Sequence, residues 1–339
     1  MNYRLFALLL LVLPAHAESL TIMAFNVENL FDATHDPGKS DETYLPASEK
    51  KSRSHIDKCN KVKVKRWREQ CLNWDWNEEI VGTKLKVIGD AIKQVNDGQG
   101  PDIIALQEVE NIGILERLRT EQLASLGYQT SVLLEGKDSR GIDVAFLSKL
   151  KVLDAAHHEI VFSASVRDRV GDTRPILSAT FELPNGERIT GYSVHFPAPY
   201  HPTVMRESAF QTLNKLLGDI PAGQAAFAAG DFNTTSEEDM KKDVLARWVR
   251  PYWQIAHDLC EGCKGTSYYA PKDDWSFLDM VLWRSGPEWT MTKSFLANDT
   301  PDQVTTYFKP DGTPNRFHLP DATGVSDHWP LVLKVKRLK

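Results

Sequence analysis

Past Leu13 the chain lacks any apolar run long enough to cross a bilayer, so its body is not built from membrane-spanning helices. It also lacks internal repeats at solenoid or propeller periods and any low-complexity linker. Basic charge is not in excess: 40 Lys and Arg stand against 46 Asp and Glu, a net charge of -6. Cysteine is scarce, at four in 339 residues. What remains is ordinary for a globular protein, with 42% apolar and 25% charged residues, and it excludes a disordered chain. The length admits two domains or one large one. A chain of this size buries roughly three quarters of its unfolded surface.

The N-terminus reads as a targeting segment. Met1 to Arg4 carries one positive charge, Leu5 to Leu13 is apolar but short, and Ala15-His16-Ala17 places small residues at two cleavage positions. This is the pattern of a secretory signal peptide over 1–17 with cleavage before Glu18, an N-terminal anchor helix being the alternative. Export implies a periplasmic or extracellular protein. Removing Arg4 with the peptide takes the net charge from -6 to -7. In an oxidising compartment the cysteines are expected to pair. Local pairing, Cys59 with Cys71 and Cys260 with Cys263, is the expectation among the three connectivities four cysteines allow. The rival is a zinc site of His257, Cys260 and Cys263. A thioredoxin-like pair at Cys260–Cys263 lacks its strand-to-helix setting.

Strand-like runs alternate with helical spacings. Ser19–Phe25, Asp102–Leu106, Tyr128–Leu134, Val144–Leu147, Ile176–Leu183, Arg188–Phe196, Ala225–Ala229, Asp279–Trp283 and Leu331–Val335 read as strands. Asn77–Val95, Ile112–Leu123 and His201–Leu217 read as helices, the first from Ile80, Val81, Leu85, Ile88 and Ile92. Lys39–Asp75 reads as polar and irregular. The pattern predicts a mixed α/β layer architecture in one domain over 18–339, with an insertion at about 39–75.

Polar residues punctuate the ends of these strands. In AAGDFN, Asp231 and Asn233 lie two apart and so share a face at a strand's end. Asn26 and Glu28 follow TIMAF, Glu108 follows IIALQ, His195 ends YSVH, Asp279 sits in FLDMVL, and Asp327 and His328 sit in VSDHW. Any one of these is ordinary turn or structural chemistry. Together they form a set of carboxylates, amides and two histidines without thiolates. Such donors suit hard divalent cations, and the histidines can move protons near neutral pH. That combination fits hydrolysis of a phosphate ester.

The motifs FNVENL, LQEVEN, RGIDVAFLS, TRPILSATF, YSVHFPAP, AGDFNTT, FLDMVL and SDHWPLVL run in the order found in the endonuclease/exonuclease/phosphatase superfamily, which the chain resembles from about Leu20 to Val335. The resemblance implies an α/β four-layer sandwich, two packed mixed β-sheets flanked by helices, as in deoxyribonuclease I. It implies Mg²⁺ or Mn²⁺ held by Glu108, Asn26 and Asp327, with Ca²⁺ as a structural ion. It implies Asp231 and Asn233 on the metal, the phosphate or the nucleophile. It makes His328 the general base oriented by Asp279, His195 the acid, and Arg174 a contact to the scissile phosphate. Asp143 either orients His195 or is a turn residue before a strand. Glu28 supports the ligands or is simply exposed.

Lys50 to Arg68 holds nine Lys or Arg and one Asp, a local reversal of the chain's charge. Such a block suits phosphate neutralisation, with Trp67, Trp74 and Trp76 available to stack on bases. The alternative is a solvated loop tied by a disulfide. His55 and His157-His158 read as surface residues. The expected partner is nucleic acid, DNA or also RNA. A small-molecule or lipid phosphate is the second substrate class, though no exposed aromatic-aliphatic hairpin for a membrane stands out. A non-catalytic binding protein or toxin subunit is the third class, and it would ordinarily have lost a ligand or histidine.

Overall fold

The computed structural model describes residues 19–170, 173–298 and 307–338. The expected signal peptide at 1–17 lies outside the described residues. Two six-stranded sheets lie face to face. In chain order the elements of the first half are β1 (Ser19–Leu30), α1 (Arg53–Asn60), α2 (Lys65–Asn73), α3 (Glu78–Lys93), β2 (Ile103–Val109), α4 (Ile112–Arg117), β3 (Thr130–Leu133), β4 (Asp143–Ser148) and β5 (Lys151–His158). The second half adds β6 (Ile176–Glu182), β7 (Arg188–His195), α5 (Thr203–Leu216), β8 (Ala226–Asp231), α6 (Ser236–Lys242), α7 (Val244–Trp248) and β9 (Gln254–Ile255). It closes with β10 (Ser267–Tyr269), β11 (Asp274–Ser276), β12 (Asp279–Arg284), β13 (Trp289–Leu296) and β14 (Leu331–Arg337). One sheet has the order β13-β14-β1-β2-β4-β3 and the other β5-β6-β7-β8-β12-β9, with β10 and β11 forming a separate hairpin. Pairs β1/β2 and β7/β8 are parallel, while β12 runs antiparallel to β8.

Three apolar cores separate four layers. Along β1, Leu20, Ile22 and Ala24 face the opposite sheet, and Met23, Phe25 and Val27 face α3. Both faces are buried, so the central strands read as continuous apolar runs. Between the sheets Phe146, Phe181 and Phe227 pack with ring centroids 5.4 to 6.1 Å apart. Helix α3 begins where the Asn77 side chain accepts from the Glu79 and Ile80 amides, and it buries Val81, Leu85, Ile88 and Ile92 on one stripe. On the far side α5 buries Met205, Ala209, Phe210 and Leu213 against the second sheet. No described helix is long and apolar enough to cross a membrane.

Four sequence expectations change. The Lys39–Asp75 segment is not irregular: it holds α1 and α2, joined by the Cys59–Cys71 disulfide. His55 is buried beneath that disulfide, with Nε2 3.0 Å from the Cys71 carbonyl oxygen, and is no surface residue. Trp76 is core, 1% exposed, with Nε1 donating to the Phe31 carbonyl at 3.2 Å, so of the tryptophans proposed to stack only Trp67 stands well out at 58%. Cys260 and Cys263 are disulfide-bonded as expected, which removes the thiolates the rival zinc site would need. The helical reading over Ile112–Leu123 divides into α4 and a π-type turn, Leu118–Gln122.

Candidate active site

The inter-sheet face carries its apolar alternation to the strand ends and there turns polar. On β1 the face continues Leu20, Ile22, Ala24 to Asn26; on β8 it continues Phe227 and Ala229 to Asp231; on β12 Val281 and Trp283 lead back to Asp279. His195 ends β7 opposite Asp231 in the parallel register, and Asp279 pairs with Asp231 across β12 and β8. The site is thus the polar end of the inter-sheet core.

Two irregularities re-aim side chains into it. The registers of β2 against β1 and β4 shift between Gln107 and Val109, and Glu108 takes φ +64°. Beside it on β1, Glu28 and Asn29 take φ +51° and +59°. Bulges are the usual means of turning a strand residue out of alternation, and left-handed non-glycine residues cost about 1–3 kcal/mol each. Asn233 at φ +54° adds a fourth.

The contacts follow. Asn26 Nδ2 donates to Asp231 Oδ2 at 3.1 Å and to Glu108 Oε1 at 3.4 Å. His195 Nε2 lies 3.5 Å from Asp231 Oδ2 and 4.0 Å from Glu108 Oε1. The Asn233 amide donates to Asp231 Oδ1 at 2.9 Å, and its side chain donates to the Phe196 carbonyl at 3.0 Å. His328 Nδ1 is 2.6 Å from Asp279 Oδ2, and its Nε2 is 3.9 Å from Asp327 Oδ1. Ser326 fixes this loop, donating to the Asn26 carbonyl and accepting from the His328 amide. Asp231, Asp279 and His328 offer ligand-type atoms within 4.8 Å of one another.

Burial and charge set the protonation. Burial alone would lower His328, but the charges of Asp279, Asp327 and Asp231 hold it well above the usual imidazole range. His195 is pushed well below that range by burial, then by Arg174 and Arg140. Asp231 is raised to about 7, chiefly by burial, with Asp279 adding to it against the pull of His328. Glu28 is raised to about 7 by burial and by Asp327. Asp327 is lowered: His328 and Arg316 outweigh its burial.

Of the expected residues, Asn26, Glu108, His195, Asp231, Asn233, Asp279, Asp327 and His328 converge. Asp327 also accepts from Arg316 Nη2 at 2.6 Å, and Arg316 reaches back to Glu28, so Glu28 is an ion-paired support rather than exposed. Two residues stand elsewhere. Arg174 is 7% exposed and donates to Asp138 and to the carbonyls of His195 and Phe196, so its guanidinium braces the β7 end and does not face the mouth. Asp143 opens β4 and accepts from the Gly136 amide at 3.0 Å; it has no hydrogen bond to His195 among the described residues.

Arg140 was missed by the sequence reading. Its side chain is 52% exposed, with Nε and Nη2 directed at Asp138, and it lies in the field of Glu108. Its only local signal was its place at the head of RGIDVAFLS. Gly230 was also under-read. A Cβ there would lie 2.1 Å from the Val194 carbonyl oxygen, at φ +145°. Gly230→Ala should therefore lower stability by about 3 kcal/mol in denaturant unfolding and displace Asp231. An unchanged midpoint would contradict this packing.

The site fits a hard divalent cation on its own chemistry. Its donors are carboxylate and amide oxygens with imidazole. Buried carboxyls without sufficient counter-charge are held protonated to about 7 at Asp231. His195 Nδ1 and Asp279 Oδ1 are buried without a partner.

The endonuclease/exonuclease/phosphatase family model matches residues 68–337. No curated protein sequence matches the chain. Among solved structures, an endonuclease/exonuclease/phosphatase family protein from Bacteroides thetaiotaomicron is similar at TM-score 0.56 and 14% identity, covering 95% of this chain and 98% of that one. A truncated Caenorhabditis elegans TDP2 is similar at TM-score 0.53 and 15% identity, over 94% and 98%. A mannosyl-6-phosphatase from Bacteroides thetaiotaomicron is similar at TM-score 0.56 and 15% identity, over 93% and 99%.

Proposed function

The chain belongs to the endonuclease/exonuclease/phosphatase family, and from that premise we propose that it is an exported, divalent-metal-dependent endonuclease that hydrolyses phosphodiester bonds of DNA, with RNA as a second substrate, at low sequence specificity. Members of this family hydrolyse phosphoester bonds and are generally dependent on a divalent cation.

The observation that carries the choice of nucleic acid is the basic arm beside the site. Lys51 ahead of α1, Arg53 on it, Lys61 and Lys63 between the two helices, and Lys65 and Arg66 on α2 are all exposed. Lys50 is excluded from this surface, being buried with Nζ donating to the Thr43 carbonyl at 2.8 Å. The arm is tied to the site's rim: Lys58 pairs with Glu42 at 2.6 Å, and two residues on, Tyr44 stacks on Phe31 at 4.0 Å within the field of Glu108 and Glu28. A polyanion bound there would release counterions and extend across the mouth.

Glu108, Asn26 and Asp327 would hold the cation, with Asp231 and Asn233 on the phosphate side. A bound cation supplies charge neutralisation at the phosphoryl oxygens and lessens the negative field that raises His328. His328, fixed by Asp279, then takes the proton of the attacking water at Nε2. His195, braced through its carbonyl by Arg174, protonates the leaving oxygen; the incoming phosphate offsets the two arginines that depress it.

The test is supercoiled plasmid incubated with the mature protein and Mg²⁺, with and without EDTA. Nicking that disappears with EDTA supports the reading. Intact plasmid under every divalent metal would move the assignment to a small-molecule or lipid phosphate, to be sought by phosphate release.

A further inference from the structure

In the loop that follows His195 stands a ring that the fold does not use. Tyr200 is 83% exposed. It lies five residues after His195, in a loop containing Pro197, Pro199 and Pro202. The loop is ordered from beneath. Arg206, 1% exposed, donates from Nη1 to the carbonyls of Pro197 at 3.0 Å and Ala198 at 2.7 Å, and from Nη2 to that of His201 at 3.2 Å. Its charge is held by Glu238. The His201 amide closes the turn on the Ala198 carbonyl at 2.9 Å. The Tyr200 ring rests 4.2 Å from that of His201, tilted by 40°.

A solitary exposed aromatic means little by itself. This one is presented on a loop fixed by a buried, ion-paired guanidinium. It also stands near a second unburied group: Arg140 is held by Asp138, and Asp138 is joined through Arg174 to the His195 and Phe196 carbonyls at the start of this loop. Asp138 orients Arg140 through Nε and Nη2, and the side chain is half exposed. A ring and a guanidinium on one rim match a flat base and its neighbouring phosphate.

We propose that Tyr200 is a stacking platform for an unpaired nucleobase flanking the scissile phosphate, with Arg140 holding the adjacent phosphate. This rests on the endonuclease reading and narrows it: in a duplex both faces of a base are covered by its neighbours, so the platform favours single strands or frayed ends.

The test is steady-state cleavage, with Mg²⁺, of two single-stranded oligonucleotides of one length. One is oligothymidylate; the other is built from tetrahydrofuran abasic units. The enzymes are wild type, Tyr200→Leu and Tyr200→Phe. Loss of the ring should raise KM on thymidylate about tenfold, and Phe should restore it. The tenfold penalty should be confined to the strand that carries bases. Wild-type KM for Tyr200→Leu on thymidylate overturns the platform while leaving the endonuclease reading in place, and so does an equal penalty on both strands. A wild-type enzyme that nicks plasmid yet cuts neither strand overturns the platform alone; one that also leaves plasmid intact overturns both.

Discussion

His328→Gln is expected to lower kcat by about 10²–10⁴-fold with the fold retained, the range for loss of a positioned acid–base group. His328 and Asp279 are 8% and 0% exposed, and His328 Nδ1 lies 2.6 Å from Asp279 Oδ2. Alanine would leave the Asp279 carboxylate buried without its partner, a change that costs about 3–5 kcal/mol and confuses chemistry with folding. Glutamine can still donate to Asp279 but cannot take a proton from water. Asp279→Asn is the companion variant, because it removes the first of the charges that raise His328. If His328 acts as base, the acidic limb of kcat/KM should move down by about one pH unit or more in Asp279→Asn. Movement of the alkaline limb instead would make His328 the acid and transfer the base to His195. Full activity in His328→Gln would remove His328 from the chemistry.

Central strands were legible in the sequence because both of their faces are buried. IMAF, IIAL and VAFL carry apolar residues at every position, as a strand between two cores requires. Strands β5 and β13 were not read. The first is an edge with Lys151 and Asp154 turned outward, where packing imposes little pattern. Helices α1 and α2 are short and polar, and a disulfide rather than an apolar stripe joins them. The site was legible where a polar residue interrupts an apolar run, as at Asn26, Asp231 and Asp279. Arg174 and Arg140 could not be told apart in this way. Asp138 sits two residues before Arg140 and 36 before Arg174, and it accepts from both. Which guanidinium faces solvent depends on the fold's placement of the β7 end, where the His195 and Phe196 carbonyls engage Arg174. Bulges such as that at Glu108 are likewise invisible to periodicity, although they decide which space a ligand enters.

In EDTA, stability is expected to fall as pH rises from 6.5 toward 8, and divalent cation should restore part of the loss. Asp231, Asp143 and Glu28 are raised to about 7 and Glu110 to about 9, in every case by burial first. A carboxyl with a raised folded pKa favours its neutral form in the fold. Its contribution is complete below its unfolded value and disappears as pH climbs through its folded value. His328, raised as well, acts in the same direction above 6.5. The lowered histidines, His195, His257, His157 and His158, oppose this only below 6.5, where the unfolded chain takes up protons that the fold refuses, and Lys50 and Lys84, lowered to about 8 by burial, oppose it only above about 8. Between 6.5 and 8 the carboxyls and His328 therefore act together. Each proton of difference is worth about 1.36 kcal/mol per pH unit, and these groups together hold about three, so a slope of roughly 3–4 kcal/mol per unit is expected near pH 7. Denaturant unfolding at half-unit intervals in EDTA measures it. Asp231→Asn should flatten the slope by about one proton. Saturating Mg²⁺ should stabilise the wild type more at pH 8 than at pH 6, because Asp231 and His328 beside the ion's ligands hold protons at pH 6 that oppose its charge. Glu110 and Asp143 are not among the proposed ligands, so a residual slope should persist with the ion present. A flat profile in EDTA would mean that these carboxyls are ionised in the fold without a cation, and the case for a charge-starved metal site would be lost.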